Sequence, residues 1–468
     1  MPDLILTHGY FLCEDPKEQE IMKPYAPLGL MYLSAYLKGK GFNVEIFDSM
    51  FSNRETLEEF LRNNANGVLG IYTNLITRSS VLNIISMAKK HGFQVILGGP
   101  ESANYPQEYL NHGADVIVLG EGEQTLEKLL PAIQNPGSAG LQAVDGIVFK
   151  DKSGNLITTN PRISPNDLAI YPWPDRESID IRKYLQVWRD HHGLGSISMI
   201  TARGCPYRCT WCSHAVYGYS HRRRKPADCA SELDYIMNEY SPDQIWYADD
   251  VFTISHPWLY EYSAQLKNRG LKVPFETISR ADRLMKPEVL DTLVEMGCDR
   301  IWIGSESGSQ KILDAMQRDV TVEQIQWASH ELKKRGIKVG MFLMWGYGNE
   351  TLEDIEKTVE HVKISDPDVF FTTIAYPIKN TPFYNEFSDS ITMSGDWASG
   401  TDRDYKISNQ RGPEYYKAAD ILLFNSVEAS RNQYSDHKES LIHKKLADDA
   451  RLYLQEYERK HIINKTGI

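Results

Sequence analysis

Cys205, Cys209 and Cys212 fall within eight positions of one another in the stretch ARGCPYRCTWCSHAVYG, residues 202–218, in a chain with only six cysteines. Thiolates this close bind soft metals or carry redox chemistry. Structural zinc usually takes four ligands, as paired C-x-x-C units or with spaced histidines, and His214 is the one nearby side chain that offers a fourth. Three thiolates instead suit an iron–sulfur cube with one iron left open to an outside ligand. Cys13, Cys229 and Cys298 are scattered. The count fits a reducing compartment better than a disulfide framework.

Two series of strands and helices must position these groups. From residue 3 to about 133, short apolar runs (DLILTH, NVEIFD, GVLGIYT, QVILGG, ADVIVLG) alternate with helical segments. That alternation predicts an α/β domain over 1–150, a doubly wound parallel sheet with right-handed crossovers. Ligands of such sheets bind at the carboxyl ends of the strands. There the chain places Tyr72-Thr73-Asn74, Gly98-Gly99-Pro100-Glu101 and Gly120-Glu121-Gly122-Glu123. Glycines let backbone approach a bulky ligand. The same residues also read as turns, with Glu121 and Glu123 favouring a helix N-terminus. A linker rich in Pro and Asn follows over 151–196. A second series (SISMITARG, QIWYADDVF, VPFETISR, DRIWIGSES, KVGMFLMWG, VFFTTIAYP) predicts a partial (β/α)6 barrel over 197–385, with its chemistry at the strand ends. The cysteine loop follows its first strand. Residues 386–468 read as a helical extension capping the barrel or facing substrate.

At 468 residues the chain exceeds what one hydrophobic core supports, so two or three domains are expected. A net charge of -12 argues against a nucleic-acid or anionic-membrane binder. The start, MPDLILTHGYFLCED, has no basic region ahead of a long apolar run, and no stretch approaches the ~18 apolar residues of a membrane span. A cytoplasmic location is expected. The basic run at 221–225 is short and isolated in an acidic chain, and Pro226 and Asp228 open a helix just after it. It reads as an active-site wall or a solvated loop rather than an RNA contact.

The pattern C-x-x-x-C-x-aromatic-C after a first barrel strand resembles the radical SAM superfamily. The resemblance implies a 4Fe-4S cluster on Cys205, Cys209 and Cys212 that cleaves S-adenosylmethionine to a 5'-deoxyadenosyl radical. Carried over by position, it implies that Trp211 lies against the adenine and that Asp249-Asp250 stand where the amino group is received, although ADD stands where the family has GGE; strand alternation sends the two side chains to opposite faces, and Asp250 is expected to be the one that meets the ligand. Ser279 and Arg280 end the third strand, where ribose and carboxylate contacts are usual. Ser305 and Glu306 lie in GSES, similar to the family's GxES, whereas Trp345 to Gly348 departs from G-x-P-G-E. The segments PLGLMYLSAYLKGKGFNVEIFD, ILGGPESANYP and GADVIVLGEGE are similar to the cobalamin-binding-domain subfamily. This implies cobalamin over the carboxyl edge near Thr73, Asn74, Gly98, Gly99 and Gly120. The stretch DHHGLG satisfies D-x-H-x-x-G, yet its His192 precedes the barrel, so cobalamin is expected to bind without it. His8 has a different spacing. Methylthiotransferases of the superfamily carry three further N-terminal cysteines; only Cys13 precedes Cys205 here, which argues against that reaction. The expected function is cobalamin-dependent methyl transfer to an unactivated carbon of a small-molecule biosynthetic intermediate, with flavodoxin or ferredoxin as electron donor. The alternatives are a radical SAM dehydratase or cyclase that needs no cobalamin and, from another class, a non-catalytic zinc-bound scaffold.

Overall fold

The computed structural model of the chain describes residues 1–134, 140–393, 395–408 and 410–466, with side chains described to residue 460. Strands β1 (Leu4–His8), β2 (Val44–Phe47), β3 (Val68–Tyr72), β4 (Gln94–Gly98) and β5 (Val116–Val118) run parallel in the order β2-β1-β3-β4-β5. All five residues of β1 are buried, as expected of a strand covered on both faces. Leu4 and Leu6 pack with Leu30, Met31 and Leu37 of helix Leu28–Gly39, while Ile5 packs on the other face with Val81, Ile84 and Ile85 of helix Arg78–Lys90. The order reverses between β1 and β3, which opens a crevice beyond their carboxyl ends.

The sheet runs further than the sequence suggests. β6 (Ile147–Lys150) and β7 (Leu156–Thr158) add an antiparallel edge, so the segment expected to be linker from 151 still belongs in part to this sheet. The same segment also holds helix Ile181–His192. A three-residue edge strand rich in polar neighbours carries too short an alternation to be read from sequence.

The barrel begins at β8 (Ser196–Met199). The run SISMITARG is not one strand: β9 (Ala202–Arg203) pairs antiparallel with β10 (Arg222–Arg223), which closes the cysteine loop at its base. Then β11 (Gln244–Tyr247), β12 (Phe275–Ser279), β13 (Cys298–Glu306), β14 (Lys338–Trp345) and β15 (Val369–Ile374) form, with β8, a six-stranded parallel sheet in chain order. Ile301, Ile303, Val339 and Met341 face the covering helices, whereas Trp302 stacks with Phe342 and Phe371 at 5.1 and 5.6 Å on the other face.

The C-terminal region ends in helices Pro413–Arg431 and His437–Thr466, packed through Tyr415, Leu422, Leu423, Ala447 and Leu454. Before them, the chain crosses back to the first sheet. The wholly buried Arg78 donates to Glu101 (2.6 Å), to Asp402 (2.8 Å) and to the carbonyl oxygens of Trp397 and Gly400 (3.3 and 3.1 Å). The C-terminal segment is thereby strapped to the first α/β unit. No helix among the described residues is long and apolar enough to cross a membrane.

Candidate functional site

The cysteine loop is held at its start by Asp249, just past the end of β11. This carboxylate is 2% exposed and accepts from the backbone N–H of Thr201 (2.6 Å) and Ala202 (3.1 Å), from the Thr201 hydroxyl and from Arg223 (3.1 Å). Asp250 is exposed on the other side. Desolvation by surrounding protein, with the neighbouring Asp249 charge, raises its carboxyl above the usual range. Strand alternation thus separates the two acids: one anchors the loop and the other faces solvent.

Cys209 is the most enclosed of the three loop thiols, 3% exposed. Arg318 and Arg280 both donate to its Sγ, at 3.4 and 3.9 Å. A hydrogen bond from Cys212 and these two guanidinium charges lower the Cys209 thiol against the opposing effect of burial, so the thiolate of the pair rests there. Arg280 stacks over Tyr207 at 3.7 Å from the ring centre. Arg318 sits between two residues in the left-handed region, Gln317 (φ 52°) and Asp319 (φ 51°), and donates to the Gly304 carbonyl oxygen at 2.5 Å. Such backbone costs on the order of 1 kcal/mol at each position and is retained where it aims a functional group.

Glu306 is left-handed too (φ 59°), buried, and 3.8 Å from Arg318. Burial raises its carboxyl to about 7 in spite of Arg318. Side chains at 304 would crowd this pair, because a Cβ there would lie 2.8 Å from both Arg318 Nη2 and Glu306 Oε1. Trp211 packs against an apolar cluster containing Met316, Met344, Tyr347 and Phe383, with its indole N–H buried and without a partner. The divergent Trp-Gly-Tyr-Gly turn after β14 has a local purpose: the Tyr347 hydroxyl bonds the Thr210 hydroxyl inside the cysteine loop.

Two of the expected SAM contacts lie elsewhere. The Ser279 hydroxyl is 1% exposed and meets Thr253, and the Ser305 hydroxyl pairs with His361 Nε2 at 2.9 Å behind the strand. Both hydroxyls are used between elements, because their positions in the pleat face the covering layer. Arg318, Tyr207 and Thr201 enter the site without a sequence signal; Arg318 lies in MQRDV, which matches no motif.

Beyond the cysteine loop, a cavity of about 790 Å³ opens at the carboxyl edge of the first sheet. Its walls include Leu6, Ile71, Ile96, Leu97 and Val118, the backbone of Gly98, Gly99 and Gly120, and, from the barrel side, Ile200, Arg203, Val216 and Tyr217. A Cβ at Gly98 would meet nothing within 4 Å, so the missing side chain leaves open room. Gly99 (φ 104°) is instead required by its turn, since a Cβ would lie 2.3 Å from the Thr73 carbonyl oxygen. Thr73 is fully buried, bonded to the Gly98 carbonyl oxygen and Ser102 Oγ at 3.0 Å each, and does not face the cavity as expected. Asn74 lines the cavity, but its Oδ1 caps the turn by accepting from Ile76 N at 3.2 Å. His192 ends helix Ile181–His192, at 2.9 and 3.1 Å from the carbonyl oxygens of Ile21 and Met22, away from the cavity. His8 does line it, with its ring nitrogens engaged by Asp48 (3.0 Å) and Ser49 (3.1 Å). The arginines of the run 221–225 turn inward: Arg222 to Glu121, Arg223 to Asp249 and Arg224 to Glu232.

These surroundings fit the implied groups. Three loop thiols, one of which, Cys209, is backed by two buried arginines, suit an anionic iron–sulfur cluster. The orphaned indole N–H of Trp211 and the buried carboxyl of Glu306 leave polar capacity for a ligand such as S-adenosylmethionine. An apolar cavity of this size, open at Gly98, admits a bulky ring system.

Family models agree with the geometry. Residues 199–362 match the radical SAM superfamily and residues 20–130 match the B12 binding domain. An uncharacterized methyltransferase of Pyrococcus horikoshii is 25% identical over 384 residues, 80% of this chain and 81% of that protein. The anaerobic magnesium-protoporphyrin IX monomethyl ester cyclase of Rubrivivax gelatinosus is 26% identical, covering 80% and 68%. The hopanoid C-2 methylase of Rhodopseudomonas palustris is 23% identical, covering 82% and 68%. Among solved structures, the cobalamin-dependent S-adenosylmethionine radical enzyme OxsB with aqua-cobalamin bound superposes with a TM-score of 0.73 at 18% identity, over 97% of this chain and 76% of that one. The methyltransferase TsrM from Kitasatospora setae, with cobalamin and a [4Fe-4S] cluster bound, gives 0.68 at 18%, over 83% and 75%. The two matched domains imply a 4Fe-4S cluster, S-adenosylmethionine and cobalamin as cofactors. This chain thus carries a B12 binding domain over residues 20–130 ahead of a radical SAM superfamily domain over residues 199–362, with its three clustered cysteines in the loop after the first strand of the partial barrel.

Proposed function

We propose that the chain is a cobalamin-dependent radical SAM methyltransferase that acts on an unactivated carbon of a small-molecule biosynthetic intermediate. The observation that carries this reading is the shared cavity: one wall is the edge of the cobalamin-type sheet, and the facing wall is the stem and far side of the cysteine loop, through Arg203, Val216 and Tyr217. When bound, the cofactors supply radical cleavage of S-adenosylmethionine and a transferable methyl group. The protein contributes placement and exclusion. Cys205, Cys209 and Cys212 hold the cluster, and Arg280 and Arg318 offset its negative charge. Asp250 and Glu306 receive the charged end of S-adenosylmethionine, and Trp211 borders its flat face. Gly98, Gly99 and Gly120 keep the sheet edge open for cobalamin. The reaction takes place in the cytoplasm, with a small acidic electron carrier such as flavodoxin or ferredoxin as reductant.

A second reading, cyclisation, is supported by the likeness to the magnesium-protoporphyrin ester cyclase. Anaerobic purification, cluster reconstitution and corrinoid extraction test the first. About one corrinoid per chain and release of 5'-deoxyadenosine on reduction are expected. A protein that cleaves S-adenosylmethionine but binds no corrinoid under any condition overturns the methyltransferase reading and leaves a radical cyclase or dehydratase.

A further inference from the structure

All three loop cysteines lie between Arg203 and Arg222, which stand opposite each other on the β9–β10 ladder. One carboxylate from the first sheet takes hold of both. Glu121 accepts from Arg203 Nη1 at 2.6 Å through Oε2 and from Arg222 through Oε1. Arg203 extends its other nitrogen to Glu123 at 2.6 Å, and its guanidinium lies against Tyr171 and Tyr32, 4.3 and 5.2 Å from the ring centres. All four charged side chains are at most 7% exposed. Two cations face two carboxylates through paired, charge-assisted bonds, so the set is balanced and directional.

We propose that Glu121 is a positioning residue: a single carboxylate of the sheet pins both stems of the cysteine loop and so sets where the cluster sits relative to the sheet edge. A buried ion network is weak evidence for added stability, because desolvating its charges offsets most of the attraction; what it fixes is geometry. The geometry here is specific. Glu121 immediately follows Gly120, whose Cβ position lies 3.4 Å from the carbonyl oxygen of Val216 in the same loop. Glu121, Glu123 and Arg203 also line the cavity between the two units. A shift of the clasp therefore moves the loop, the cavity wall and the cluster together. Significance for methyl transfer rests on the reading that cobalamin fills the cavity; the clasp itself is testable without it.

The probe is a gadolinium chelate on Cys13, an exposed cysteine of the first domain, attached after cluster reconstitution in the full-length chain. Pulsed electron paramagnetic resonance then reads the distance distribution from this tag to the reduced cluster. Glu121→Gln keeps the size of the side chain and removes the charge that both arginines share. The distribution is expected to broaden about twofold or more, with iron content unchanged. A wild-type distribution in this variant overturns the proposal. If Glu121→Gln loses iron, Arg222→Lys, which loosens one stem only, takes its place: an intermediate width supports the clasp, and a wild-type width overturns it. Iron loss in both variants with unchanged far-ultraviolet circular dichroism also supports it, whereas iron loss with loss of helical signal shows a general folding role and overturns it. Absence of corrinoid from the wild-type protein would sink the methyltransferase reading and leave this distance measurement intact.

Discussion

The two carboxyl edges of this molecule face one another and are built on opposite terms. The edge of the first sheet is open, apolar and lined in part by bare backbone, with a free space of about 790 Å³. The mouth of the barrel is crowded and charged, with Arg280, Arg318 and Glu306 all buried around Cys209. Shape suits a large, nearly neutral ring system, for which apolar contact supplies the affinity. Charge suits a small anionic cluster that must be held at one potential and one position. The difference shows why the same strand-end location reads as glycine in one domain and as arginine or carboxylate in the other.

The largest effect should come from removing the thiols. Replacing Cys205, Cys209 and Cys212 together by Ala is expected to abolish iron binding while leaving extractable corrinoid near the wild-type level. Concurrent loss of corrinoid would break the distinction, since the sheet edge would then depend on the cluster.

Filling the open edge is the converse experiment. Gly98→Leu projects into unobstructed room, so folding should survive while corrinoid affinity falls about tenfold or more, ~1.4 kcal/mol or above. Iron content should stay constant. A titration showing unchanged corrinoid binding would place the ring system elsewhere.

Within the barrel mouth, the neighbouring acids should part company. Asp249→Asn leaves several donors without their charged acceptor and is expected to lower stability by about 2 kcal/mol, read by chemical denaturation. Asp250→Asn should leave stability nearly unchanged and weaken binding of S-adenosylmethionine. Equal affinities in the two variants, measured calorimetrically, would remove Asp250 from the ligand set.

Buried charge on the barrel side also predicts a pH dependence. Glu350 accepts from Gly346 N at 2.6 Å, and burial, with the Asp354 charge, lifts its carboxyl to about 8 in spite of Gly346, Arg411 and Lys311. Because the folded state keeps a proton that the unfolded chain releases near pH 4.5, this group makes stability fall as pH rises between there and about 8. Each tenfold difference in proton affinity between the two states is worth ~1.4 kcal/mol, so the loss is on the order of a few kcal/mol. Glu350→Gln should flatten that slope in melting temperatures taken between pH 5 and about 8.5. An identical slope would show that other groups set it. The smallest effect is expected at His192: His192→Ala should retain corrinoid with an unchanged absorption spectrum, and an altered cobalt resonance would bring DHHGLG back into the site.

Much of this was legible in one dimension. Three thiols in one loop, apolar runs of strand length and helical spacing between them depend on near neighbours in the chain, so the doubly wound sheet, the six-stranded partial barrel and the place of the cysteine loop after a barrel strand could be read directly. The glycine-rich turns announced the open edge for the same reason. Side-chain direction could not be read so well. Thr73, Asn74, Ser279 and Ser305 have suitable chemistry at suitable strand ends, yet the fold uses them as internal hydrogen-bond partners or caps. Only the tertiary structure brought Arg318 to Cys209, 109 positions away, and Arg203 and Arg222 to Glu121, 82 and 101 positions away. Those pairings are set by how two separately wound units close on each other. A long-range charge pair leaves no periodic trace, because its energy depends on burial and distance that exist only once the chain has folded.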